Sequence, residues 1–452
     1  MNNWVGVILA AGTSSRMKSK TSKVLHEIGG KAMLVHIIES LKKASIKDII
    51  VVTPENNESI INIIGEDVLY AIQKDPNGTG DAMNSCLDLI KGKYDQILLM
   101  NGDTPLLEAK TLTSLMEFHS QESSDMTFLS GEIANIKGLG RIIRNENGKI
   151  IKIVEEHEAT PKELESKEFN SGVYCINNMN LWEDISSITI SNKGEYYITD
   201  LAEIYSNKGK NIQSMVIQDT DELIGVNDRY DLSIVEEKIR SRILKELMLN
   251  GVTIRDPRST FIESTVSIEQ DTTIEPNTYI YGKTIIGKEC TIGPNTLITN
   301  SHIESRCSII NSYIEDAIIE SEVDIGPFSH LRKDTIIRSQ THIGNFVEIK
   351  KSEIGSNSKI GHFAYIGDAE LGNEVNIGAG TVTCNFDGVN KNKTIIGKKS
   401  FIGCDTMLVA PISIGDEAIT GAGAVVTNDV QSKTLVVGIP AKVKKNFSTK
   451  ET

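Results

Sequence analysis

The chain contains no run of about 18 apolar residues, so no segment of it qualifies as a membrane-spanning helix. Positive charge is also in deficit: 47 Lys and Arg stand against 61 Asp and Glu, a net charge of −14. A general nucleic-acid binder needs a basic surface, and this balance excludes one. Any phosphate binding must fall to local clusters of Lys and Arg. The six cysteines, Cys86, Cys175, Cys290, Cys307, Cys384 and Cys404, are scattered and form no C-x-x-C pair. That spacing excludes a disulfide framework or a zinc site and suits reduced thiols in a cytoplasmic protein. The apolar run 4–11 lacks a charged segment before it and runs into Gly12 and a polar loop, so it reads as a strand, not a signal.

What is present falls into two rhythms. From 1 to 227, strand-like runs at 5–9, 49–52 and 96–100 alternate with helix-like runs at Met33–Lys43 and 109–119. This alternation predicts a Rossmann-like α/β domain with a mainly parallel sheet. Residues 228–250 carry Leu232, Val235, Ile239, Ile243, Leu244 and Leu247 among many charges, which predicts one amphipathic connecting helix. From 251 to 452 the period becomes six. Ile262, Ile268, Ile274, Ile280, Ile286, Ile292 and Ile298 are evenly spaced, and Ile319, Ile325, Leu331, Ile337, Ile343 and Ile349 repeat the rule. No helix has that period. A solenoid of short parallel strands does, each aliphatic pointing inward and the chain turning a corner between strands. Residues about 18 apart then stack on neighbouring coils, ~4.8 Å from each other. The segment 384–394 breaks the rhythm and should protrude.

Two places concentrate chemistry. The first strand runs into Leu9-Ala10-Ala11-Gly12, followed by Arg16 and Lys23. Backbone N–H groups of such a turn face phosphate oxygens, and the two cations neutralise charge on a triphosphate. It is neither a Walker A loop nor a dinucleotide fingerprint, since G-K-[ST] and G-x-G-x-x-G are both absent. Asp103 closes the strand 96–100 through Asn101 and Gly102, at the carboxyl edge where ligands of open α/β sheets bind. As a hard oxygen donor it suits Mg²⁺. In the second half, Arg332 and Lys350 are 18 apart and predict two stacked cations with an anion between them. Glu348 and Tyr365 stack one 17-residue coil apart. His362 falls near that column, placed to act as a base whose tautomer a neighbouring carboxylate fixes.

The first half resembles the sugar-phosphate nucleotidyltransferases through L-A-A-G-x-x-x-R-M and the downstream Lys23. The second resembles the left-handed parallel β-helix of hexapeptide-repeat acyltransferases, whose prisms commonly pack as trimers. Further strings, among them Gly78-Thr79-Gly80, Asn170-Ser171-Gly172 and Gly194-Glu195-Tyr196-Tyr197-Ile198-Thr199-Asp200, are similar to those of a bacterial bifunctional family that joins both halves. That family acetylates glucosamine-1-phosphate with acetyl-CoA, then transfers UMP from UTP to N-acetylglucosamine-1-phosphate, making UDP-N-acetylglucosamine, a precursor of the cell wall.

The resemblance implies that Gln73, Gly78 and Thr79 read the uracil. Gly140, Glu155 and Asn170 hold the sugar, with Asn101 where Tyr is common, and Asn227 joins Asp103 as a magnesium ligand. It makes His362 the base and Glu348 its orienter. Arg332, Lys350, Tyr365, Asn376 and Lys391 hold the sugar phosphate, while Ala379, Asn385, Phe386, Cys404, Ala422 and Ile439 line the acetyl-CoA groove. Phe386, Cys404 and Ile439 stand where Tyr, Ser and Arg are frequent, which predicts a weaker coenzyme site, with Lys442, Lys444 or Lys445 as substitutes for the last. A second reading keeps uridylyl transfer alone and makes the β-helix a trimerisation scaffold. A third makes the chain a non-catalytic regulatory subunit. The presence of Lys23, Asp103, His362, Arg332 and Lys350 argues against both.

Overall fold

The computed structural model describes residues 3–12, 15–133, 136 and 138–446. Contacts divide the chain into two compact units, Met1–Ile239 and Arg240–Thr452. The helix Arg229–Leu249 carries the chain from one to the other.

In the first unit, apolar strands build a mixed sheet. Its order is Ile212–Ile217, Met126–Glu132, Glu168–Asn177, Gln96–Asn101, Trp4–Leu9, Asp48–Pro54 and Leu69–Gln73, with Arg141–Arg144 and Ile150–Val154 as a side branch. The last four strands in this order run parallel, and Glu168–Asn177 is antiparallel to both of its neighbours. Continuous runs such as VGVIL suit strands covered on both faces. Val5 and Val7 enter one core and Ile8 and Ala10 the other, as a two-residue period requires. Leu9 pairs with both Val52 and Asn101, so the turn after the first strand and the segment 101–103 emerge together at one sheet edge.

In the second unit, the six-residue period becomes three flat sheets of short parallel strands, the left-handed parallel β-helix. Ile262, Ile268 and Ile274 point inward from three successive sheets, and Ile280 returns to the first. Ile292, Ile309, Ile325, Ile343, Ile360, Ile377 and Ile402 form one column, each at most 3 % exposed. Each buried isoleucine contributes roughly 1.5–3 kcal/mol of transfer free energy, repeated along the prism. Corners recur with left-handed backbone at non-glycine residues such as Asn277, Asn295, Asn311 and Phe328. Buried Ser and Thr hydroxyls at the corners bond neighbouring carbonyls, for example Thr272 to Gly287 and Thr278 to Glu275. The segment 384–394 does leave the prism. An antiparallel bridge of Phe386 with Lys391 closes it, and Asp387 accepts from the Val389 and Asn390 amides and from Asn392 Nδ2.

Candidate active sites

The first site is a cavity of about 300 Å³ at the carboxyl edge of the first unit's sheet. Its walls include Leu9, Ala10, Ala11 and Gly12 from the first turn, Lys23, the pair Gln73 and Gly78–Thr79, and Asn101, Gly102 and Asp103. These residues, far apart in sequence, were expected to act together. Lys23 Nζ lies 2.5 Å from Asp103 Oδ2, and Arg16 Nη2 donates to Asn227 Oδ1 at 2.8 Å. Val226 N donates to Asp103 O, which ties the segment bearing Asn227 to the strand end.

A second patch gathers Gly140, Glu155 and Asn170, the residues expected to hold the sugar. Asn170 N donates to Gly140 O at 3.0 Å, and Asn170 Nδ2 donates to the Tyr174 hydroxyl at 2.7 Å. A Cβ on Gly140 would lie 3.6 Å from Glu155 Oε2. Burial raises the Glu155 pKa, opposed by the Thr199 hydroxyl that donates to it. Asp200 is pushed up to about 6 by burial and by the negative charges of Glu158, Glu203 and Glu155. Asn101 reaches toward this patch, since a Cβ on Gly172 would meet its side chain at 2.3 Å.

The segment 194–200 is a clamp. Tyr196 N donates to Asn77 O, Gly80 N to Tyr196 O, and Ile198 N to the Thr79 hydroxyl. Gly78 has φ 103°, and a Cβ there would stand 2.5 Å from Tyr196 O, so only glycine fits under the clamp. The string 194–200, Glu195 included, carried no assigned role in the sequence, and Asp81 gave no signal there. Glu195 lines the cavity, and Asp81 holds Gln73.

The second site lies on the β-helix. Strand register pairs Glu348 with Tyr365 and Leu331 with Ile349, which puts Arg332 one coil from Lys350. His362 stands at the corner where this sheet begins, and it pairs with Asn345. Corner residues at the same register, Asn345, His362, Ala379, Cys404 and Ala422, follow one another on consecutive coils. His362 and three of the residues expected to line a coenzyme groove therefore share one edge.

One expectation needs correcting. Asn345, not Glu348, holds the His362 ring: His362 Nδ1 is 2.9 Å from Asn345 Oδ1. The Glu348 carboxylate accepts instead from Arg332 Nη1 at 2.7 Å, a bond that raises the Arg332 pKa. The physical reason is register. The coil there is 17 residues long, so the residue below His362 is Asn345, while Glu348 lies three residues further on, past the corner and in the next sheet. Since Asn345 Oδ1 can only accept, it fixes the proton on Nδ1 and leaves the Nε2 lone pair outward.

Asn376 is in register with Lys359, so it faces outward from the sheet adjoining His362. Lys391 sits on the protruding loop, its Nζ 4.7 Å from the centre of the Phe386 ring, and Asn385 Nδ2 donates to Asp368. Ile439 is 77 % exposed. Among the described residues no hydrogen bond or ion pair links Asn376, Lys391 or Ile439 to His362.

The fold and these two sites define a nucleotidyltransferase joined to a hexapeptide-repeat transferase. The comparisons agree. Residues 5–230 match the nucleotidyl transferase family model. Residues 265–300 and 351–385 match the bacterial transferase hexapeptide model, and 393–428 the hexapeptide repeat of succinyl-transferase. The chain is 40 % identical to the Bifunctional protein GlmU of Brevibacillus brevis over 97 % of this chain and 95 % of that one. It is 43 % identical to the protein of the same name from Caldanaerobacter subterraneus, at the same coverage. A third, from Carboxydothermus hydrogenoformans, is 43 % identical over 97 % and 98 %. The chain belongs to the GlmU family of bifunctional proteins. Its activities are those of glucosamine-1-phosphate N-acetyltransferase and UDP-N-acetylglucosamine diphosphorylase.

Proposed function

We propose that His362 and the cavity around Lys23 and Asp103 carry these two reactions, in three segments: 1–227 for uridylyl transfer, 228–250 as linker helix and 251–452 for acetyl transfer. The observation that carries this reading is the cavity lined by Lys23 and Asp103, with Asn227, which accepts from Arg16, tied to the same strand end through Val226.

On the β-helix, Arg332 and Lys350 hold the phosphate of glucosamine-1-phosphate, with Tyr365, Asn376 and Lys391 as further contacts. His362 Nε2 takes the proton as the sugar amine attacks the thioester carbonyl of acetyl-CoA. The C–N bond forms, the C–S bond breaks, and coenzyme A leaves as the thiol. Asn345 keeps the ring in the accepting tautomer, and Glu348 holds Arg332 in place. Asn385 and Phe386 on the loop, the edge formed by Ala379, Cys404 and Ala422, and Ile439 form the coenzyme groove.

At the other site, a phosphate oxygen of N-acetylglucosamine-1-phosphate attacks the α-phosphorus of UTP and pyrophosphate leaves. Positioning and charge neutralisation suffice, with no covalent intermediate. The turn Leu9, Ala10, Ala11 and Gly12 cradles the phosphates with Lys23 and Arg16. Gln73, Gly78 and Thr79 hold the base, and Asn101, Gly102, Gly140, Glu155 and Asn170 the sugars. Asp103 and Asn227 fit Mg²⁺: both offer hard oxygens, and each oxygen already faces a positive group. When bound with UTP, the ion neutralises developing charge on the phosphates.

We place the enzyme in the cytoplasm as a homotrimer assembled through the β-helix. Among the described residues no helix is long and apolar enough to cross a membrane. Phe328, Phe346 and Phe363 stack at 5.2 and 5.0 Å on successive coils while 48–64 % exposed, an apolar strip suited to a protein contact. One coupled assay tests the assignment. Glucosamine-1-phosphate, acetyl-CoA, UTP and Mg²⁺ should together yield both thiol and pyrophosphate. Thiol release alone, or pyrophosphate release that does not require acetyl-CoA, would refute the two-step order.

A further inference from the structure

Gln73 ends the strand Leu69–Gln73, lines the cavity and is 6 % exposed. Its Nε2 donates to Gly78 O at 3.0 Å and to Asp81 Oδ2 at 2.8 Å. Both partners are acceptors, so only the NH₂ end of the amide can occupy that position. Gly78 O and the carboxylate together therefore decide which way the amide faces, and Oε1 is the end left for a ligand. Asp81 belongs to the first turn of the helix Thr79–Asn84, whose start is gripped by the 194–200 clamp. The carboxylate is thus fixed relative to both Gln73 and Gly78.

We propose that Asp81 sets the base specificity of the nucleotide site by locking Gln73 so that it offers an acceptor, not a donor, to the base. The inference rests on the reading that Gln73, Gly78 and Thr79 hold the base. An acceptor there pairs with a pyrimidine that carries a ring N–H between two carbonyls, as uracil does at N3. Cytosine has a bare N3 lone pair at the same place. Two acceptors would then face each other in a buried setting, and neither would regain the hydrogen bond it made to water. Losses of this kind discriminate more strongly than a missing methyl group. Asp81 touches no part of the nucleotide; it is a positioning residue acting through Gln73.

The test is the ratio of kcat/KM for UTP to that for CTP, read as pyrophosphate release with supplied N-acetylglucosamine-1-phosphate. A ratio is unaffected by how much of a variant is folded. In Asp81→Asn the new amide can donate to Gln73 Oε1, leaving Gly78 O as the one remaining acceptor that holds the native orientation, so a share of the molecules offers the glutamine NH₂ to the base. The ratio should fall at least tenfold, with CTP gaining in relative terms. Asp81→Glu keeps an acceptor and should retain most of the discrimination. Gln73→Ala should erase it. If Asp81→Asn slows both nucleotides equally while Gln73→Ala collapses the ratio, Asp81 is only structural and the proposal fails alone. If Gln73→Ala leaves the ratio intact, the base-site reading fails, and the proposal with it.

Discussion

The two halves build their sites in opposite ways. In the α/β unit, the cavity residues come from several loops that meet because neighbouring strands end at one sheet edge. In the β-helix, they come from a ladder in which one residue stands above another by a fixed offset. The first arrangement gives a concave pocket in which Lys23 already bonds Asp103, with the Arg16–Asn227 bond tied to the same strand end through Val226. The second gives an open face, along which His362 and the pair Arg332 and Lys350 are spread. A concave pocket concentrates charge, so a single deletion should be felt strongly there. An open face distributes contacts, so losses should be graded with distance from the reacting atoms.

The largest effect follows from that concentration. Asp103→Ala removes a partner of Lys23 and a metal donor together. Uridylyl transfer should fall by on the order of 10³-fold, comparable to losing a key electrostatic group. Acetyl transfer, followed as thiol release, should keep its rate. A matching loss of thiol release would mean that the two sites are not independent.

On the open face, His362→Ala should lower thiol release by roughly 10²–10⁴-fold, the usual worth of a general base, and leave pyrophosphate release from supplied N-acetylglucosamine-1-phosphate intact. Asn345→Ala sharpens the point. Freed of its acceptor, the ring samples the tautomer with its proton on Nε2, and activity should drop about tenfold. Glu348→Gln should chiefly raise KM for glucosamine-1-phosphate, because that carboxylate holds Arg332. If Glu348→Gln lowered kcat more than Asn345→Ala did, Asn345 would not be the residue that orients the base.

How much of this was legible in the sequence differs between the halves for the same reason. The six-residue rhythm is a local signal with a global meaning, so the inward isoleucines and the stacking of Glu348 on Tyr365 could be counted off beforehand. Asn345 was countable too, 17 residues before His362, but the offset had been applied only to the neighbouring column. In the α/β unit no single offset exists. The strand Glu168–Asn177 carries Asn170-Ser171-Gly172, which drew attention as a motif and hid its place in the sheet, antiparallel to both neighbours. Likewise Asp81 lies eight residues from Gln73, and only folding of the intervening loop shows that the two meet.

The smallest expected effect separates the halves by the sign of their response to pH. Asp200, half-buried beside Glu155 and Glu158, holds its proton up to about 6, whereas the unfolded chain releases it near the ordinary value of 3.8. Between these values the folded state binds more protons than the unfolded state, so this group's contribution to stability falls as pH rises. Asp387, on the exposed loop, is held down to about 2 by the Asn390 amide, Asn392 and the Val389 amide. Its contribution is present above the unfolded value and is lost as pH falls from roughly 4 toward 2. Asp200→Asn should therefore flatten the decline in stability between about pH 4 and 6, measured by denaturant melts of the full chain. Asp387→Asn should leave that window unchanged, because its own loss occurs at more acid pH. If Asp200→Asn instead steepened the decline, burial and the neighbouring carboxylates would not govern that group, and the contrast between the half-buried carboxyl of the α/β unit and the exposed one of the loop would fail at its most sensitive point.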